Sequence, residues 1–300
     1  MPIHERDPWR LQYFEHVPCP ADVHVPTDDI DAYCWYPRHR WIYNKLRIAE
    51  SQGIECAPHG VEPSRYPVFS KPIVNLKGMG VGSRALRDRD EYLQCEQPGF
   101  LWMSLLEGEH ISSDLAVVEG AVHWSRHTRG LAAPGGTFDY WIVEAGRRPE
   151  LEDAFARWVG ASLPDYTGML NIESIGGRII EAHLRFADQW PDLYGPGWID
   201  ALVDLYARHR WEYADDVRRE GYSVIVFGPH LRQYPHPPAE FVERIRAHAQ
   251  VSSVQITYDA DKPAAGHAMP PGGFRLAIIN TWDLEAGCEL RGQLARFFGL

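Results

Sequence analysis

The spacing of hydrophobic positions changes several times along the chain, and each change predicts an element. In residues 41–53, Ile42, Leu46 and Ala49 fall on one face of a helix, and Gly53 is a natural stop. Residues 66–73 (YPVFSKPI) read as a short strand and 83–94 (SRALRDRDEYLQ) as a charged helix. The continuous apolar run 100–106 (FLWMSLL) has the length of a buried strand. Residues 112–130 predict a hairpin turning at Glu119-Gly120, and 168–186 a second one turning at Gly176-Gly177. Helices are expected over 147–162, 197–209, 238–250 and 284–298, with strands over 222–227, 251–259 and 274–280. The first forty residues are rich in proline and aromatics and predict one strand, 22–28, while 131–141 (LAAPGGTFDYW) reads as a mobile loop. Hairpins mixed with helices imply an α+β fold and not a parallel doubly wound sheet.

Composition narrows the partners. A chain of 300 residues can bury a substantial core, as one large domain or two lobes. Its formal charge of −11 disfavours a nucleic-acid backbone or an anionic membrane as the main partner. An anionic ligand would have to be drawn in by particular residues. No apolar run approaches the roughly 20 residues that span a bilayer, and MPIHERDPWR lacks a signal-peptide core. The cysteines (Cys19, Cys34, Cys56, Cys95, Cys288) are scattered and odd in number. That pattern disfavours a disulfide framework or zinc knuckle and fits a reducing, cytoplasmic setting.

The second hairpin carries the most informative polar pattern. If its loop holds an odd number of residues centred on Gly177, Glu173 lies opposite Glu181 and Asn171 opposite His183. All four then share one face, with Arg185 continuing the row. An even loop would put the two glutamates on opposite faces. Adjacent carboxylates repel, and a divalent cation removes that cost; Mg²⁺ takes carboxylate oxygens and shares its shell with phosphates. An arginine fork beside it suits phosphate. The same residues would equally serve as the polar face of a solvated hairpin. The stretch 66–84, with its glycines and two lysines, reads by itself as a flexible turn as readily as a phosphate cradle.

Taken in order, these segments resemble the ATP-grasp superfamily. Lys45 in YNKLRIAESQGI stands where that family has a helix lysine, and Lys71 in FSKPIVNLKGMGVGS where it has a strand lysine before a glycine-rich loop. WMSLLEGEHISSD supplies the hinge strand, then Gly108, His110 and Asp114; Glu173 and EAHLR stand for the acid and the Glu-x-Asn-x-Arg motif. The likeness spans about residues 41 to 190. It implies two α+β lobes enclosing a nucleotide: a reduced N-terminal segment 1–40, a small lobe 41–106, and a large lobe 107–300 with a C-terminal α/β extension.

The resemblance also implies roles. Lys45 and Lys71 would meet the phosphates of ATP, and the backbone of Gly78, Gly80, Gly82 and Ser83 would close over them. Met103 and Leu105 would face adenine with Trp102 as apolar cover, and His110 would reach the ribose. Glu173 and Glu181, with Asn171 or His183, would hold Mg²⁺, or Mn²⁺ because His183 replaces the usual amide; otherwise His183 would hydrogen-bond a phosphate. Arg185 would meet the transferring phosphoryl group, and one of Arg126 and Arg129 the carboxylate or acyl-phosphate. The implied reaction activates a carboxylate as an acyl-phosphate and joins it to an amine, releasing ADP and phosphate. The alternative is a degenerate member that binds nucleotide without ligating. The implied partners are a small-molecule carboxylate and amine, with no nucleic acid and no membrane. The aromatic N-terminus suits a homodimer interface.

Overall fold

In a computed structural model of the chain, residues 7–77, 80–134, 137–230, 232–263, 267 and 273–300 are described. Two short helices, α1 (Pro8–Leu11) and α2 (Asp29–Trp35), precede α3 (Lys45–Ser51). A four-stranded sheet follows: β1 (Cys56–Pro58), β2 (Val68–Pro72), β3 (Arg84–Leu86) and β4 (Phe100–Ser104), in the order β1-β4-β2-β3. Helix α4 (Arg89–Cys95) covers one face, where Tyr92 and Cys95 pack with Val68, Leu86 and Trp102. On the other face Leu101 and Met103 meet Ala49 of α3 and Ile54.

The second sheet has eight strands in the order β11-β12-β10-β7-β6-β5-β8-β9. Its first part comprises β5 (His110–Val118), β6 (Ala121–Ala133), β7 (Thr137–Val143), β8 (Gly168–Ile175) and β9 (Arg178–His183), with helix α5 (Pro149–Ser162). Helix α6 (Trp198–Arg208), β10 (Gly221–Gly228), α7 (Ala239–Arg246), β11 (Val251–Ile256), β12 (Phe274–Thr281) and α8 (Leu284–Phe297) complete it. Every pairing in both sheets is antiparallel. Antiparallel pairing needs only short turns, which is why hairpin signals dominate the sequence. The C-terminal strands join the same sheet, because β10 pairs with β7.

Three apolar clusters line this sheet. One packs Phe155 and Val159 of α5 against Leu115, Leu170, Ile172 and Ile179. A second joins Trp198, Leu202 and Leu205 of α6 to Phe14, Val23 and Val25 of the N-terminal segment. The third holds α7 and α8 against β12. The N-terminal segment is therefore part of the large core.

Four local expectations need correction. Residues 22–28 form no strand; Val23 and Val25 are buried in chain without regular structure, and the Asp28 side chain caps α2 by accepting from the Asp31 N–H at 2.8 Å. The helix expected over 41–53 is divided into a 3₁₀ turn, Arg40–Tyr43, and α3, because Asn44 caps α3 by accepting from the Arg47 N–H at 3.1 Å. Residues 84–86 pair with β2 as a strand, and α4 begins only after its cap, Asp88. The expected loop 131–141 is mostly hairpin: β6 and β7 pair down to Ala133 opposite Thr137. The turn at Glu119-Gly120 lies as expected, both residues having positive φ. The five cysteines are free, and no helix among the described residues is long and apolar enough to cross a membrane.

Candidate active site

A cavity of about 450 Å³ is lined from the four-stranded sheet by Phe69, Lys71 and Met103, and from the large sheet by Ser112, Asn171, Glu173, Glu181 and His183. The β8–β9 hairpin supplies the acids through an irregularity. Its loop is the two-residue pair Gly176-Gly177, with Ile175 opposite Arg178, an even loop that by itself would split the glutamates. The register shifts before Glu173, so that Glu173 faces Glu181 and Asn171 faces His183, leaving Ile180 as the extra residue. This bulge lets Ile179 and Ala182 both enter the apolar cluster while Glu181 turns to the cavity. It also frees the Ile180 carbonyl, which accepts a hydrogen bond from Lys71 Nζ at 2.7 Å. The hairpin tip lies so close to the hinge after β4 that a Cβ on Gly176 would sit 2.3 Å from the Glu107 carbonyl oxygen. Glycine is required there for contact as well as for φ.

The charges are arranged in opposition. Lys45 forms an ion pair with Glu181, and both side chains are largely buried. Burial opposes the charge of Glu181, but Lys45, His183 and Lys71 outweigh it and hold its pKa at about 2. Burial pulls Lys71 down to about 8, against the attraction of Glu181. His110 Nε2 lies 3.0 Å from Glu173 Oε2. Burial disfavours the imidazolium, yet that hydrogen bond and the nearby carboxylates raise its pKa.

The N-terminal segment contributes a residue that the sequence did not disclose. Asp29, at the start of α2, accepts from Arg185 Nη2 at 2.9 Å and lies 3.0 Å from His183 Nδ1. Burial opposes its charge, but Arg185 and His183 hold the carboxyl far below its usual range, and the same contact raises the His183 pKa against burial. His183 Nε2 is buried without a hydrogen-bond partner. One atom each from Glu173, Glu181 and His183 come within 4.8 Å of one another. Two carboxylates and an imidazole oriented by a carboxylate are a donor set that a divalent cation fits.

The other expected site residues are distributed as follows. Lys45, Lys71, Gly80, Ser83, Met103, Leu105, His110, Asn171 and Arg185 all border the cavity. Gly78 lies outside the described residues, and Gly82 does not border the cavity but stands against the Phe100 ring. Trp102 is not apolar cover for the cavity: neighbours along a strand face opposite ways, so it points into the α4 cluster and donates Nε1–H to the Val61 carbonyl at 2.6 Å. Neither Arg126 nor Arg129 reaches the cavity. Arg126 is buried and donates to Asp215 and to the carbonyls of Glu144 and Arg219, holding the long connection before β10. Arg129 lies beside Glu109 and Glu144. Asp114 works from beneath: its carboxylate accepts from Asn171, Tyr194 and the Ala187 N–H, while burial lifts its pKa to about 6. That contact, with another to Ser112, occupies the amide hydrogens of Asn171.

This two-sheet arrangement recurs in solved structures. An L-amino acid ligase from Bacillus licheniformis superposes with a TM-score of 0.59 at 14% identity, over 85% of this chain and 71% of that one. An N5-carboxyaminoimidazole synthase from Aspergillus clavatus, in complex with ADP and 5-aminoimidazole ribonucleotide, gives 0.62 at 12% identity, over 93% and 82%. A phosphoribosylamine–glycine ligase from Thermotoga maritima gives 0.59 at 14%, over 95% and 84%. The chain has the ATP-grasp fold. The sequence matches no family model and no curated protein. At such identities the ATP-grasp likeness establishes architecture, and chemistry must be argued from the residues.

Proposed function

We propose that the protein is an ATP-dependent ligase that activates a carboxylate as an acyl-phosphate and joins it to an amine. The observation that supports this most is the meeting, in one cavity of an ATP-grasp fold, of Lys45 and Lys71 with Glu173, Glu181 and His183. Residues 41–106 would form the smaller lobe and 107–300 the larger, with nucleotide between them. Lys45 and Lys71 would exchange Glu181 and the Ile180 carbonyl for phosphate oxygens. Met103 and Leu105 would face adenine, His110 the ribose, and the backbone of the glycine-rich loop the phosphates.

Glu173, Glu181 and His183 would hold Mg²⁺ or Mn²⁺, the imidazole favouring Mn²⁺. Such a cation supplies positive charge against the nucleotide phosphates. Arg185 would stabilise the charge on the transferring phosphoryl group. A substrate carboxylate oxygen attacks the γ-phosphorus and ADP leaves; the amine then attacks the acyl carbon, loses a proton, and phosphate leaves. Substrate filling a cavity lined from both sheets would limit competing hydrolysis. One observation favours a second reading, nucleotide binding without ligation: Asp29 already occupies both His183 and Arg185. ADP release from ATP and Mg²⁺ across a panel of acids and amines tests the ligase. Thermal protection by AMP-PNP without turnover for any pair would favour the second reading.

Two predictions concern nucleotide. Lys71→Ala should weaken ATP binding by at least about tenfold, the effect of removing a buried cation from a phosphate contact, with the fold retained. Equal affinities by calorimetry would remove Lys71 from the site.

The other follows from its pKa. Held near 8, Lys71 is partly deprotonated at pH 8, whereas a bound phosphate would favour the ammonium. Nucleotide binding should therefore take up protons near pH 8, and affinity should fall as pH rises through that value. Calorimetry in two buffers of different ionisation enthalpy reads the uptake; the same uptake in Lys71→Ala would assign it elsewhere.

A further inference from the structure

Arg275 is a buried cation of the cavity to which the ligase reading gives no role. It belongs to β12, borders the cavity, and is 9% exposed. Its surroundings differ from those of the two other guanidiniums there. Arg185 is met by Asp29, and Arg10 by Asp188 at 2.6 Å. Arg275 has no carboxylate in ion-pair contact among the described residues. Its Nη1 donates to Gln189 Oε1 at 3.3 Å, its Nε is buried with no hydrogen-bond partner, and its Cζ lies 5.3 Å from the Trp9 ring centre. Burial pulls its pKa down; Asp188 and, more weakly, Asp7 attract it from beyond ion-pair distance, while Arg10 and Arg185 add to the pull of burial. Asp28 also borders the cavity, but its carboxylate caps α2.

A buried guanidinium with no carboxylate in direct contact is costly, so one kept in this state beside a cavity suits an anion that arrives from outside. On the ligase reading, Arg185 and the acids of β8 and β9 serve the reacting end of the substrate. Arg275 stands on another part of the sheet, with β10, β7, β6 and β5 between its strand and β8. Trp141, Trp190, Phe138 and Phe227 supply apolar lining to the same cavity. We propose that Arg275 recognises a second anionic group, carboxylate or phosphate, so that the acid substrate is at least a dianion with an apolar middle. The identity of the ligand as substrate rests on the ligase reading; the anion site itself does not.

The test uses the full chain with saturating AMP-PNP and Mg²⁺, which occupies the phosphate-binding lysines. Calorimetry compares glutarate, benzene-1,4-dicarboxylate, inorganic phosphate and the monoacid butyrate, for the parent, Arg275→Met and Arg275→Lys. A dicarboxylate or phosphate should bind the parent at least about tenfold more tightly than butyrate, the scale of one charge-assisted contact. Arg275→Met should abolish that preference, and Arg275→Lys, which lacks the fork, should reduce it. Preference for phosphate over the dicarboxylates would mark a phosphorylated acid, and the reverse a dicarboxylic one. Without ligand, Arg275→Met should melt at or above the parent temperature, because an uncompensated buried charge has been removed. The proposal is overturned if no dianion outcompetes butyrate, or if Arg275→Met keeps the preference; Arg275→Lys decides the point if the methionine variant does not fold. If AMP-PNP does not bind but an Arg275-dependent anion does, the nucleotide reading fails and the anion site stands.

Discussion

Glu181→Gln should lower Mn²⁺ affinity at least a hundredfold and ADP release about 10³-fold, the upper scale for removing one electrostatic stabiliser from a site. Glu181 is shared by three of the proposed cations: Lys45 is ion-paired to it, Lys71 is attracted to it, and it is one of the three donors that come together for a metal. The amide keeps the shape of the side chain and one weak oxygen donor but loses the charge. Its removal leaves Lys45 buried without its partner, at a cost of up to about 3–5 kcal/mol when one half of such a pair is deleted. The melting temperature should fall as well, so metal binding is read on the folded fraction by Mn²⁺ electron paramagnetic resonance. Unchanged Mn²⁺ affinity in a folded variant would end the metal assignment, whatever happens to turnover.

Arg185→Ala should reduce ADP formation by about 10²-fold, the scale for losing one stabiliser of developing charge, while ATP affinity changes far less. Ground-state nucleotide is met by Lys45, Lys71 and the metal donors. Arg185 matters more as charge spreads onto the transferring group, and an interaction made mainly in the transition state shows in turnover before affinity. The structure adds a complication, because Arg185 is also the largest attraction holding Asp29 ionised, ahead of His183. Removing it leaves a buried carboxylate whose side-chain partners among the described residues are His183 and the Tyr43 hydroxyl. Asp29→Asn is the control: it frees Arg185 from its partner without removing the guanidinium. A structural role would make the two variants equally inactive and equally unstable. A role at the phosphoryl group leaves Asp29→Asn with most of its turnover, and normal turnover in Arg185→Ala would reduce Arg185 to a structural ion pair.

Much of the site was legible because its parts are local. Lys71 and Met103 border the cavity because strand alternation puts them there, and the chain turns at Gly120 and at Gly176-Gly177, where glycine's tolerance of positive φ predicts. The facing of Glu173 with Glu181 was also anticipated, through the wrong device. An odd loop was the condition stated for it, whereas the loop is even and a bulge at Ile180 restores the register. Nothing in the string IESIGGRIIE chooses between the two. The choice is made by the apolar cluster, which takes both Ile179 and Ala182 and so forces the extra residue.

Side-chain direction and distant partners were not legible. Arg126 reads as a site arginine, yet its guanidinium is satisfied by Asp215 and two carbonyls on the connection before β10. Asp29 and His183 are 154 positions apart, and no periodicity relates them. The order of hairpins and helices and the turn positions follow from chain-local rules of propensity and alternation, and the sequence by itself determined these; Lys45 and Lys71 stood out through the ATP-grasp resemblance, and the facing of the two acids waited on the bulge. Only the tertiary structure decided that the N-terminal segment closes the large core, that Asp29 meets both His183 and Arg185, and that Arg275 borders the cavity with no carboxylate in ion-pair contact among the described residues. Those outcomes depend on which buried charges meet across the packed sheets, and burial is a property of the whole fold.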